Sequence, residues 1–458
     1  MASVLRTLHR AGHEAALVGG SVRDLLSGEQ PIDWDVATSA VPEQTTALFA
    51  GSVWENRFGT VTVPGPPRVE VTTYRSESGY ADRRRPAHVR WGRSLRDDLS
   101  RRDFTINAIA WVPVDLARRR GLLIDPYDGR RDLRERVLRA VGTPARRFDE
   151  DALRMLRAVR FATRFGMRLE PQTEEAIRHL APTAATLSGE RVRDEILRIL
   201  GSRAAPPSRA FLLMEHLGLL RVLLPELAAL RGVPQGKVLP GDALDHSLRA
   251  ADALPPDDPI LRLTGLLHDL GKATTLADCH FIGHERVGAD LASVLMHRLR
   301  FAQSQVERVT DLVGEHMFAY SPEWTDAAVR RFIRRVGAGR LDDLFALRRA
   351  DNAASGVAEP AGAGLPQLMA RVQRELGGAP LEQRQLAIDG NELMAALDLP
   401  PGPDVGRLLA ALLEAVLDEP ARNRPDELLA LARRLLEERP DPRASGAPRP
   451  RIGVLPET

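Results

Sequence analysis

The sequence predicts an α+β protein, with a small α/β head at the front and an all-α body behind it. Three observations carry this. The first part of the chain alternates short apolar runs with glycine-bearing turns and brief amphipathic stretches, as strands and helices do when they alternate. From Phe148 onward the apolar spacing changes to a helical period. At 458 residues the chain is also too long for one ordinary domain, so roughly two to four are expected.

In order, Ala15–Val18 reads as a strand running into Gly19-Gly20, and Ser21–Leu26 opens a helix. Residues 32–37 read as a strand, 42–49 as a helix, and Thr60–Val63 and 68–74 as alternating β segments. Residues 76–94 are polar, Arg-rich and without periodicity, which predicts a mobile loop. Residues 106–111 and 122–124 complete the strands. The helical part begins with residues 149–165, 174–180, 190–200 and 209–217, all at 3.6-type spacing. Pro- and Gly-rich segments at 202–208, 254–259 and 355–364 predict linkers or long turns. The resulting divisions are a head over 1–141, a helical neck over 142–230, a domain over 240–355 and tail helices over 380–438. Residues 439–458 are expected to be disordered, and no solenoid repeat is visible.

With 43% apolar and 28% charged residues the composition is that of a soluble globular protein. No apolar run approaches a membrane span, and the opening residues lack the apolar core of a signal peptide, so no membrane partner is expected. The single cysteine, Cys279, excludes a disulfide framework and fits a reducing, cytoplasmic location. The net charge of +2 is unevenly spread, with basic residues in excess over the first 200 positions and acids in excess thereafter. Nearly all the cations are arginine, Lys237 and Lys272 being the two lysines. A base-composition bias accounts for most of that, and a polyanion met by the front half is the functional alternative. Charge asymmetry alone does not decide between them.

The first chemical constellation starts at Gly19-Gly20-Ser21-Val22-Arg23-Asp24. Glycines between a strand and a helix let backbone approach a phosphate, and Arg23 adds positive potential. A plain structural turn is the competing reading. Asp33 and Asp35 then stand at i and i+2, a spacing that puts both carboxylates on one face of a strand. Such a pair repels itself unless a divalent cation lies between the two, and hard oxygen ligands beside a phosphate loop describe a Mg²⁺ site for nucleotidyl transfer. Two acids on an exposed strand remain the alternative. Glu70 is a candidate third carboxylate, or an ordinary solvent-face glutamate. Arg102 is a candidate triphosphate or sugar contact with Asp103 orienting it, or else part of a helix-end ion cluster.

Asp151, Arg154, Arg157 and Arg160 recur every three residues, so each neighbours the next along a helical ridge, with Leu153, Leu156, Val159 and Phe161 toward the core. A plain i,i+3 ion pair contributes a few tenths of a kcal/mol and needs no function. The functional alternative is base reading. Cytosine and adenine each carry an exocyclic amine beside a ring-nitrogen acceptor, so one carboxylate and one guanidinium suit both. Uracil and guanine present a carbonyl to that carboxylate and are refused.

Together these segments resemble the class II tRNA nucleotidyltransferase and poly(A) polymerase family, whose heads are polymerase-β-like. The matching pieces are GGSVRD (19–24), DWDVAT (33–38), RFGTV (57–61), VEVTTYR (69–75), DRRRP (82–86), DLSRRDFTINAIA (98–110), DPYDG (125–129), EDALRMLRAVRF (150–161) and GERVRDEIL (189–197). The resemblance implies catalytic metals on Asp33 and Asp35. It implies nucleotide contacts from Gly20, Arg23 and Arg102, and a protein template of Asp151 and Arg154 with Arg157 and Arg160 nearby. It implies a flexible loop over 76–94, including Asp82 and Arg85, that switches the pocket from CTP to ATP. The partners implied are tRNA, ATP and CTP. Asn56-Arg57-Phe58-Gly59-Thr60 looks like the tRNA-specific branch, which favours CCA or terminal-A addition over poly(A) synthesis.

A second constellation lies at His246, His268, Asp269, His284, His316 and Asp351. One histidine is more often structural than a ligand, whereas this number at helical positions suits a transition metal such as Mn²⁺, Ni²⁺, Zn²⁺ or Fe²⁺. A metal-bound water there would attack a phosphate ester, with Lys272 holding the phosphate. The segment resembles the HD phosphohydrolase superfamily. His246, His268, Asp269 and Asp351 match its core, and His284 and His316 are extra ligands for a second metal. A domain that merely lengthens the RNA-binding body is the alternative. The tail is similar to the family's tail helices, which implies contact with the tRNA elbow. From another class, a hydrolase acting mainly through the HD domain stays open, as does the oligomeric state.

Overall fold

The computed structural model describes residues 1–54, 59–80, 86–91, 94–276, 280–357, 364–378 and 380–438, and gives the backbone alone for 76–80 and 86–90. Two compact units emerge. The first holds Met1–His316 with Leu347–Val357, and the second holds Met317–Ala346 with Ala358–Thr458.

The first unit begins with a seven-stranded mixed sheet. Its strands are β1 (Ala15–Val18), β2 (Trp34–Thr38), β3 (Val53–Trp54), β4 (Thr60–Val63) and β5 (Val69–Thr73), followed after a separate ribbon of β6 (Arg75–Tyr80) and β7 (Pro86–Trp91) by β8 (Ala110–Asp115) and β9 (Arg120–Ile124). The spatial order is β3-β4-β5-β2-β1-β8-β9. All four residues of β1 are buried because both faces of the sheet are covered. Leu17, Val36, Val71 and Ile109 pack on one face with Leu5 and Leu8, while Ala16, Val18, Ala37 and Tyr74 pack on the other with Leu99. The strand period of two is what sorts them. β2 runs parallel to β5 in a register that sets Asp35 beside Glu70.

Behind the sheet come the helices Pro144–Glu150, Leu153–Phe165, Pro171–Leu180, Gly189–Leu200 and Pro207–His216. One continuous apolar core joins them to Ala243–Ala253, Pro259–Leu267, His284–Arg298 and Gln303–Glu315. The second unit is helical, built from Asp326–Val336, Leu365–Leu376, Gly390–Leu397, Pro403–Asp418 and Pro425–Glu437. There Arg330 is buried, and it donates to the Leu417 carbonyl at 2.6 Å and to Glu375 at 2.6 Å, so the charge is paired where water is excluded. No helix among the described residues is long and apolar enough to cross a membrane.

The α+β expectation matches this architecture, but several elements differ. The stretch expected as a mobile loop holds the antiparallel ribbon of β6 and β7, paired from Arg75 with Trp91 to Tyr80 with Pro86. Polar residues on a two-stranded ribbon need no apolar alternation, so periodicity had nothing to register. Ile106 lies in a 3₁₀ turn, Thr105–Asn107, with the strand starting at Ala110. The expected helix over 149–165 is broken, one helix ending at Glu150 and the next starting at Leu153. Residues 439–458 lie outside the described residues.

Candidate active site

A cavity of about 550 Å³ gathers the predicted residues of the head and neck. Its walls include Gly19, Gly20, Arg23, Asp33, Asp35, Glu70, Arg102, Asp103, Asp151, Arg154, Arg157 and Arg160. These residues are spread from position 19 to position 160 of the sequence, and the fold brings every one to a single cavity. Asp35 sits on β2 and Asp33 in the bend just before it, so the two acids are neighbours although only one is in the strand. Burial raises the Asp35 carboxyl above its usual range and Asp33 pushes it the same way, against Arg102 and Arg23. A carboxylate pair under that strain fits a divalent cation. Glu70, in register on β5, faces the same cavity.

Gly19 is required by its surroundings. Its φ of +69° is a glycine conformation, and a Cβ there would meet Arg102 Nη1 at 2.6 Å and Asp35 Oδ2 at 3.2 Å. Arg23, only 5% exposed, donates to Asp24 at 2.6 Å and to Asn107 at 2.7 Å, with its guanidinium 4.5 Å from the Phe165 ring centre. Arg102 is held by Asp98 at 3.2 Å and the Asn107 carbonyl at 3.3 Å. Burial opposes ionisation of Asp98, but Arg101 and Arg102 outweigh it and keep the carboxyl below the usual range. Asp103 does not orient Arg102, as the sequence suggested. It accepts from Arg157 at 2.8 Å and from Asn107 at 3.0 Å, and these partners hold it well below the usual range in spite of its burial.

The base-reading candidates stand at the helix break. Asp151 lies between the two helices, where its Oδ1 accepts from the Leu153 N–H at 3.1 Å and its Oδ2 from Arg191 at 2.8 Å. Arg154 donates to Glu150 at 2.8 Å and to the Arg101 carbonyl at 3.0 Å. Arg160 donates to Glu195 at 2.5 Å, and Glu195, 1% exposed, also accepts from Arg198 at 2.7 Å. Asp151 and Arg154 are therefore each clamped by a different partner, and both face the cavity. Leu153 is half-buried and lines the cavity, not the core. Sequence reasoning missed Asp98, Asn107, Arg191 and Glu195 as supports. Asp98 and Asn107 flank Arg102 inside a quoted motif, so position was a usable signal. Arg191 meets Asp151 from 40 residues away, which no local spacing reveals. Asp82, Arg85 and residues 56–58 lie outside the described residues.

The second set also converges. His246, His268, Asp269, His284, His316 and Asp351 are all buried. His246 Nε2 lies 3.2 Å from His268 Nε2 and 3.1 Å from Asp351, while Asp269 lies 3.3 Å from His268, 3.4 Å from His284 and 3.7 Å from His316. Three imidazoles are aimed alike. The Nδ1 atoms of His268, His284 and His316 each reach the carbonyl three residues earlier, at Gly265 (2.8 Å), Phe281 (2.7 Å) and Val313 (2.7 Å), leaving Nε2 turned inward. Burial and the neighbouring His268 hold His316 down to about 3, so it is neutral with a lone pair to give. Asp269 Oδ1 and His284 Nε2 are buried without a hydrogen bond, though 3.4 Å apart. Two overlapping triads have metal-ligand spacing, His246–His268–Asp351 and His268–Asp269–His316. Lys272 is committed to Asp269 at 2.7 Å and Gln235 at 3.2 Å.

Comparisons with known proteins bear on the whole chain. Residues 15–139 match the family described as "Poly A polymerase head domain", 166–230 that described as "Probable RNA and SrmB- binding site of polymerase A", and 292–432 "tRNA nucleotidyltransferase domain 2 putative". The chain is 37% identical to an A-adding tRNA nucleotidyltransferase of Deinococcus radiodurans, over 93% of this chain and 96% of that one. It is 33% identical to a CCA-adding enzyme of Geobacillus stearothermophilus, over 93% of this chain and 94% of that one. The crystal structure of the Bacillus stearothermophilus CCA-adding enzyme in complex with CTP is similar with a TM-score of 0.70 and 29% identity, covering 95% of this chain and 96% of that one.

Proposed function

The chain belongs to the tRNA nucleotidyltransferase family, and on that premise we propose that it adds CCA, or the last nucleotides of it, to tRNA 3′ ends from CTP and ATP without a nucleic-acid template. The observation that carries this is one cavity holding both the carboxylate cluster of Asp33, Asp35 and Glu70 and the Asp151–Arg154 pair. Bound divalent metal, Mg²⁺ in this family, supplies the charge that lets the acids stand together and eases loss of the proton from the RNA 3′-hydroxyl. Asp33 and Asp35 would hold it. Arg23, Arg102 and Arg160 set positive charge around the triphosphate, so that the 3′-oxygen forms its bond to the α-phosphorus in line as pyrophosphate departs. Asp151 accepts from the exocyclic amine of cytosine or adenine, and Arg154 donates to the adjacent ring nitrogen. Arg191 and Glu150 hold the two side chains ready. A carboxylate facing the carbonyl of uracil or guanine is left without a proton, and the wrong base is refused.

The test is to offer tRNAs ending before CCA, after C and after CC, with CTP and ATP supplied separately. Extension of all three supports CCA addition. Extension of the CC-ended tRNA alone supports the second reading, terminal-A addition, which the 37% identity to the Deinococcus enzyme favours. Long adenosine tails on RNA other than tRNA would return the poly(A) reading. For the buried histidine–aspartate cluster we propose an HD-type phosphoester hydrolase, with a transition metal held by the two triads. Its support is the inward aim of the Nε2 atoms and the orphaned Asp269 Oδ1. Opening of 2′,3′-cyclic nucleotides to nucleoside monophosphates with Mn²⁺ or Ni²⁺, lost in His268→Ala, tests it. A chain whose main activity survives Asp33→Ala is a hydrolase first.

A further inference from the structure

A second cavity, of about 570 Å³, lies at the C-terminal end of helix Leu153–Phe165, whose other end carries Asp151 and Arg154, and no step above uses it. Four guanidinium groups line it, from Arg134, Arg136, Arg164 and Arg209, against one carboxylate, Glu29. Arg134, Arg164 and Arg209 make no ion pair among the described residues, although the chain is rich in acids and most of its arginines have one.

Three helix C-termini also end at this cavity, those of Gly20–Leu26, Gly129–Glu135 and Leu153–Phe165. Each carries about half a negative charge, and arginines gather at such ends for that reason alone. Arg136 does so plainly, donating to the Phe165 carbonyl at 3.4 Å. The balance still falls short. Three helix ends and Glu29 offset roughly two and a half of four positive charges, which leaves more than one in excess. Like charges held together in a shaped space are relieved by an anion of matching charge.

Arg164 says which anion, for it lines both cavities. It stands four residues beyond Arg160, at the end of the helix opposite Asp151, with its guanidinium 5.0 Å from the Phe165 ring that Arg23 approaches to 4.5 Å. The base sits at one end of this helix, and the phosphates that leave are placed toward the other. We infer that the second cavity receives inorganic pyrophosphate after nucleotidyl transfer, Arg164 handing it from the nucleotide cavity to Arg134, Arg136 and Arg209. The inference rests on the nucleotidyl-transfer reading. The new bond joins the RNA 3′-oxygen to the α-phosphorus while the 3′-hydroxyl proton is lost to water, the bond from the α-phosphorus to the bridging oxygen breaks, and pyrophosphate carries off that oxygen and its electron pair.

The test uses the full chain with the nucleotide cavity filled by a non-hydrolysable CTP analogue, and measures binding of labelled pyrophosphate by equilibrium dialysis. The double variant Arg134→Ala, Arg209→Ala removes two exposed side chains outside the nucleotide cavity. It is expected to bind pyrophosphate about tenfold more weakly, with the affinity for the analogue unchanged. Product inhibition of nucleotide addition by pyrophosphate should weaken by the same factor. Equal pyrophosphate affinity in the two proteins overturns the inference. Loss of tRNA affinity with pyrophosphate binding intact also overturns it and gives the cavity to an RNA phosphodiester. A wild-type chain that extends no RNA sinks the nucleotidyl-transfer reading, while the dialysis still reports whether the cavity takes pyrophosphate.

Discussion

At the scale of single residues, the site depends on atoms that cannot be moved. Gly19→Ala would force a Cβ toward the Arg102 guanidinium and Asp35 from a backbone conformation that costs other residues about 1–3 kcal/mol. Nucleotide addition should fall by roughly a hundredfold or more, because displacement near the reacting atoms is costly, while the melting temperature drops by only a few degrees. An unchanged rate would mean that Arg102 and Asp35 need not stand where they do. The raised Asp35 carboxyl has a further consequence. Metal binding needs the ionised form, so acidification removes it at a higher pH than it would for an ordinary carboxylate near 4. The pH profile of kcat/KM at limiting Mg²⁺ should therefore begin to fall above the usual carboxylate range, and less steeply at saturating metal. A profile flat down to that range would show that Asp35 ionises as an ordinary carboxylate. Part of this was legible beforehand, since Gly19, Asp33 and Asp35 stood out by type and spacing, with a plain turn and two exposed acids as the competing readings, though the bend that holds Asp33 outside the strand was not. Arg157 was legible as a cavity residue, but its partner Asp103, 54 residues away, was not.

Among the elements, the break between Pro144–Glu150 and Leu153–Phe165 sets which partners hold Asp151 and Arg154, the pair proposed to read the base. A continuous helix would have placed Asp151 and Arg154 on neighbouring turns, where they would satisfy each other. The break instead gives Asp151 to the helix Gly189–Leu200 through Arg191, and leaves Arg154 with Glu150. Unbroken apolar spacing hid this, because Leu153, Leu156 and Val159 keep a helical period on one side of the break. The ribbon of β6 and β7 was hidden for the opposite reason, being paired strand without apolar alternation. If Gly189–Leu200 positions the reader, Arg191→Ala should lower kcat/KM for CTP and ATP by about tenfold while raising misincorporation of UTP relative to CTP, since a loosened carboxylate refuses a carbonyl less sharply. Equal loss for right and wrong nucleotides would show Arg191 to be a structural brace only. Glu195→Gln tests the same helix by stability. It leaves Arg160 and Arg198 facing a neutral amide, and buried pairs broken on one side cost about 3–5 kcal/mol.

For the molecule as a whole, the division into an α/β head and a helical body followed from the change of period near Phe148, whereas the unit boundary inside helix Leu341–Ser355 left no mark on the sequence, since helix propensity is indifferent to which core a turn joins. The first unit carries two separate groups of acids and histidines, opposite in chemistry: the carboxylates of Asp33, Asp35 and Glu70 line one cavity, and two triads of mixed imidazole and carboxylate with metal-ligand spacing surround His268. That difference predicts separable linkage. A ligand that binds the folded state alone stabilises it by about 2.7 kcal/mol at a hundred times its dissociation constant. Mn²⁺ or Ni²⁺ at low concentration should therefore raise the melting temperature of the wild type, and His268→Ala, which breaks both triads, should abolish that rise. The gain from Mg²⁺ with CTP should survive His268→Ala and vanish in Asp33→Ala. Because the clusters share no residue, the two stabilities should add to within about 0.5 kcal/mol in calorimetry. A transition-metal gain lost in Asp33→Ala and kept in His268→Ala would place that metal in the head and leave the buried histidines a structural role.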